Sequence, residues 1–69
     1  MEFGLEGCEF IELNKLLKIL RLVESGGQAN MFIAEGYVKL NGVAEFQKRK
    51  KLRAGDRIDF NGQVVNIKG

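Results

Sequence analysis

Two stretches of this chain have residue types and spacing suited to chemistry, Ser25-Gly26-Gly27-Gln28 and Lys48-Arg49-Lys50-Lys51, and in both the chemistry is the holding of anions. Two glycines in the first turn of a helix cost about 0.8–1.0 kcal/mol each relative to alanine, so something must compensate for their presence. Without side chains the first-turn amides stay open, and together with the positive end of the helix dipole they form an anion site. A competing explanation is close packing, in which the glycines let the helix approach its neighbours. The four-cation run, flanked by Gln47 and Arg53, would add charge if the fold carries it and Lys39 near the helix start. A run of this kind is often only a solvated loop. Neutralising several phosphates releases counterions and gives affinity without base reading, so preference for a sequence or shape would fall to groups such as Asn30, Asn41 and Tyr37.

Other chemistries find little support. The chain has no histidine, hence no ordinary general base near neutral pH, and its single cysteine leaves no Cys/His cluster for zinc. Cys8 lies between Glu6 and Glu9, where no positive charge lowers a thiol pKa, and it reads as a buried or incidental thiol. Asp56 reads as turn chemistry and Asp59 as the outward residue of an alternating strand. A chain of 69 residues has room for one domain and none for a deep cleft. We therefore expect no enzymatic activity, cofactor or metal. No apolar run reaches the roughly 20 residues of a membrane span, and the early glutamates do not fit a signal peptide, so a cytoplasmic protein is expected. The net charge is only +2, but residues 1–35 carry three cations against six carboxylates and residues 36–69 carry eight against three. That asymmetry implies one cationic face.

The elements that must position these residues follow from periodicity. Leu13, Leu16, Leu17 and Leu20 recur at helical spacing and predict a helix over 12–21, with Lys15 and Lys18 pointing away and Arg21 on its flank. A second helix over 26–35 starts in a capping box, with Ser25 accepting from the Gln28 amide and Gln28 reaching back to the Ser25 amide. Ala29, Phe32 and Ile33 form its buried face, and Gly36 suits the left-handed residue that ends it. Strands are predicted over 37–40 and 43–46 around Asn41-Gly42, and over 57–60 and 63–67 around Asn61-Gly62. Leu13, Leu16, Leu17, Leu20, Phe32, Ile33, Val38, Ile58 and Phe60 should form the core. Residues 1–10 show no clear period and read as an arm or short strand in which Phe3, Leu5 and Phe10 pack, while residues 11–69 form one α+β domain, two helices on a small antiparallel β-sheet.

In order, Leu13-x-x-Leu16-Leu17-Lys18, Glu24-Ser25-Gly26-Gly27-Gln28-Ala29, Glu35-Gly36-x-Val38-x-x-Asn41-Gly42 and Lys50-Lys51-Leu52-x-x-Gly55-Asp56 resemble the RNA-binding domain named after the fourth protein of the small ribosomal subunit. The likeness spans residues 11–67 of this S-four type domain, whose RNA-contacting part is the αL motif. The Glu-Ser-Gly-Gly-Gln-Ala stretch and the basic run are similar to free-standing bacterial members of the YbcJ/YaaA type. The resemblance implies binding of structured RNA, of the rRNA or tRNA class, by Ser25, Gly26, Gly27, Gln28, Asn30, Lys39 and Asn41, with Lys18 and Arg21 at the edge. Many members carry an arginine where Gly26 stands, so that contact is either lost or supplied by backbone amides and by Lys48, Arg49, Lys50 and Lys51. Arg53 completes the candidate set. The expected protein is a monomer that binds RNA through backbone and shape contacts. The competing reading is a protein-interaction module docking the same basic face on an acidic partner.

Overall fold

The leucine stripe forms a helix, but a shorter one than its period suggests. In the computed structural model, which describes residues 1–69, α1 spans Leu13–Ile19, with Leu20 as its C-cap. Arg21 takes a left-handed conformation (φ 58°), and the Arg21 and Leu22 amides donate to the Lys18 and Leu17 carbonyls. This is the Schellman arrangement, and it ends the helix before Arg21. The second helix, α2 (Gly26–Ala34), stops the same way: Gly36 (φ 82°) and Tyr37 donate to the Ile33 and Phe32 carbonyls.

Five strands form the main sheet: β1 (Glu2–Gly4), β3 (Val38–Leu40), β4 (Val43–Ala44), β6 (Arg57–Phe60) and β7 (Gln63–Lys68), in the order β1-β7-β6-β3-β4. Asn41-Gly42 and Asn61-Gly62 all have positive φ and close two-residue hairpins, Leu40 pairing with Val43 and Phe60 with Gln63. These four strands are antiparallel, as their turns require. The sheet as a whole is mixed, because β1 adds to β7 in parallel, with Phe3 opposite Ile67. A second, two-stranded sheet pairs β2 (Ile11–Glu12) with β5 (Lys51–Leu52). The basic run is therefore not entirely loop.

One face of the main sheet meets the helices. Val38, Ile58, Phe60, Val65 and Ile67 alternate into a core of thirteen buried hydrophobic residues with Leu13, Leu16, Leu17, Ala29 and Ile33. Leu5, Val23 and Leu52 complete it, whereas Leu20 and Phe32, expected inside, are half-buried at its edge. Leu20 lies at the turn out of α1, where the stripe no longer faces the sheet. No polar side chain is buried in the core. No helix is long and apolar enough to cross a membrane.

Candidate nucleic-acid interface

The start of α2 is open. Ser25 Oγ accepts from the Gln28 amide at 3.1 Å, as a capping serine should. Gln28 Oε1 reaches back one residue further than the capping-box pattern predicts, accepting from the Glu24 amide at 2.6 Å rather than from Ser25. The amides of Ser25, Gly26 and Gly27 have no acceptor within the protein. Close packing does not explain the glycines: a Cβ at Gly26 would meet nothing within 4 Å, and one at Gly27 only Ser25 Oγ at 3.9 Å. Neither has a positive φ, so neither backbone conformation demands glycine. The amides beside them are unpaired, as at any helix start, and at these two positions no side chain stands over them.

The basic run is held from behind. The carbonyls of Lys48 and Lys50 accept from the amides of Asn14 and Leu13, at 3.0 and 2.9 Å, and so cap α1, whose N-cap Glu12 makes no side-chain cap. Lys51 Nζ sits 4.9 Å from the centroid of the Phe10 ring and the Arg53 guanidinium 5.8 Å from it, within cation–π range. Lys48, Arg49, Lys51 and Arg53 are exposed and Lys50 half-buried. Asn30 is tied to the same end of α1, its Oδ1 accepting from Asn14 Nδ2 at 3.3 Å. Asn14, which pattern reading passed over as part of the leucine helix, is thus the residue that positions Asn30.

These cations do not gather around the double glycine. They lie at the start of α1, whereas Ser25, Gly26 and Gly27 lie beyond its end, a helix length of about 10 Å at 1.5 Å per residue. At the glycine end Arg21 and Gln28 line a groove with Tyr37, and Lys39 lines an adjoining depression that shares Tyr37 with it. Lys18 is exposed on α1. Asn41 is engaged in turn structure: its Nδ2 donates to Asp56 Oδ1 at 3.1 Å and its Oδ1 accepts from the Arg57 amide at 2.9 Å. Asp56 Oδ2 in turn accepts from the Arg53 amide at 2.8 Å, so Asn41 and Asp56 lock the hairpin to the turn that carries Arg53.

Ion pairing divides the eleven cations in two. Lys15, Arg57 and Lys68 each meet a carboxylate, Glu12, Asp59 and Glu2, at 3.5–3.6 Å. The other eight, Lys18, Arg21, Lys39, Lys48, Arg49, Lys50, Lys51 and Arg53, pair with none. Even Lys39, directly across the sheet from Asp59, lacks it because Asp59 turns to Arg57. The free cations are those whose placement in the sequence pointed to anion binding. Cys8 is exposed, and no cluster of three or more His, Cys, Asp or Glu side chains could hold a metal.

Known proteins resemble this chain along most of its length. Residues 3–68 match the family described as S4 domain. The chain is 43% identical over 65 residues, 94% of its length and 93% of the relative's, to "Putative RNA-binding protein YbcJ" of Escherichia coli. It is 36% identical over 62 residues, 84% of its length and 87% of the relative's, to "Probable ribosome maturation protein RlbA" of Bacillus subtilis. Its fold is similar to the solution structure of YbcJ from E. coli, described as having an αL motif involved in RNA binding, with a TM-score of 0.75, 41% identity and coverage of 99% of this chain and 86% of that one.

Proposed function

This chain belongs to the S4 domain family, and from that premise we propose that it is a cytoplasmic, non-catalytic protein that binds structured RNA of the ribosomal or transfer class through backbone and shape contacts. The observation that carries the reading is the division of its cations: eight of eleven are left without a carboxylate. Surface cations that no carboxylate neutralises by direct pairing are suited to a polyanion. Open amides at the start of α2 add uncharged donors for phosphate oxygens. The spread of these groups over both ends of α1 favours a ligand that extends across the domain over a single small anion.

Affinity for a ribosomal RNA hairpin, followed across salt concentrations with heparin as competitor, tests the proposal. If all eight cations contacted phosphate, log K would fall with log salt at a slope of roughly 6 to 7. Preference for the hairpin over heparin at matched charge is the expected result. Heparin displacing the hairpin as readily as unlabelled hairpin does would refute recognition of RNA shape and favour docking on acidic partners in general.

A further inference from the structure

Tyr37 is 61% exposed and yet its ring packs against another. The Schellman end of α2 places Tyr37 beside Phe32, and the two rings meet edge to face at 5.8 Å and 75°. Phe32 leans in the same way on Phe60, at 5.3 Å and 61°, and Phe60 belongs to the core. Three rings thus run from the core to the surface, and the last is held with much of it in solvent. An aromatic whose position is preset loses little conformational freedom when something stacks on it.

The space beside that ring is a groove of about 470 Å³, within the range of small-ligand sites. Its wall is apolar at Leu22, Phe32 and Phe60, and it also carries Arg21, Glu24 and Asn61, which offer both donors and acceptors. Arg21 is there at a conformational cost: its left-handed backbone is of a kind that glycine occupies far more readily. The hydrogen bonds that end α1 hold Arg21 in that conformation. Gln28, another lining residue, stands next to the open amides of Gly26 and Gly27.

We propose that this groove takes one unpaired nucleobase of the bound RNA, stacked on Tyr37, with the adjoining phosphates at the start of α2. The proposal rests on the RNA-binding function above and adds to it a preference for RNA with a bulged or looped nucleotide. A stacked base suits an apolar wall with a mixed donor and acceptor rim, because each base has a π-face and a hydrogen-bonding edge.

The test uses an RNA hairpin with one unpaired nucleotide, made with each of the four bases, and its fully paired counterpart. Tyr37 is the only tyrosine and the chain has no tryptophan, so intrinsic emission reports this ring alone. The bulged hairpins should quench it and the paired one should not. Tyr37→Ala should weaken binding of the bulged hairpins by roughly 5- to 150-fold, the span of base–aromatic stacking, leave the paired hairpin unaffected, and Tyr37→Phe should keep the wild-type affinity. Equal quenching by paired and bulged RNA, or an equal effect of Tyr37→Ala on both, overturns the base site while leaving RNA binding intact. Failure of the wild type to bind any of these RNAs overturns both.

Discussion

Replacing Gly27 by glutamate should make this protein more stable and a worse RNA binder, two effects that a packing role for the glycine would not produce together. Gly27 is the second residue of α2, and its Cβ would meet only Ser25 Oγ at the ordinary distance of 3.9 Å. Removing a glycine from the helix recovers about 0.5 kcal/mol after the lower propensity of glutamate than alanine is allowed for. A carboxylate in the first turn adds about 0.3–1 kcal/mol through the helix dipole. A total near 1 kcal/mol raises Tm by about 4–8 °C in a domain of this size. The same carboxylate covers the open amides and repels phosphate. Loss of hydrogen bonds to a charged group, about 1.5–3 kcal/mol, weakens RNA binding roughly 10- to 150-fold. Gly27→Ala is the control, with a similar rise in Tm and nearly unchanged affinity. Thermal melting and fluorescence anisotropy on the two variants decide the matter. A lower Tm for Gly27→Glu would restore the packing explanation, and a higher Tm with unchanged affinity would remove these amides from the interface.

Two further perturbations address the cations. Replacing Lys48, Arg49, Lys50 and Lys51 together with glutamine should reduce the salt slope of RNA binding by roughly 3 to 4, at about 0.7–0.9 per contact, while loss of the Lys51–Phe10 contact costs only about 0.5–1 kcal/mol of stability; an unchanged slope would return the run to a solvated loop. Arg21→Gly should raise stability by up to about 1 kcal/mol by relieving the left-handed backbone and should also weaken RNA binding, and a variant that gains stability with full affinity would show the strain to be incidental.

Periodicity and turn chemistry act over a few neighbouring residues, and whatever depended on them could be read from the chain alone. The leucine stripe, the Ser25 cap, the Gly36 stop and both Asn-Gly hairpins are of this kind, as is the excess of cations after residue 35. The resemblance to the S-four type domain rested on the same local motifs in order. The rest depended on partners far along the chain. Pairing of Ile11 with Leu52 and of Phe3 with Ile67 joins residues with no common local pattern, and β1, β2 and β5, of two or three residues each, are too short to show alternation. The first of these pairings sets the basic run, with the buried Leu52 after it, against the start of α1, away from the double glycine. Asn41, by type and position a candidate RNA contact, is drawn into the turn network by Asp56 and Arg57, fifteen and sixteen residues later. Close packing and open amides make the same demand for glycine in a sequence, and only the empty space around Gly26 and Gly27 separates them. Tyr37 stands out by type as a source of shape preference, but its setting exists only once the ends of the two helices and the Asn61 turn come together around its ring.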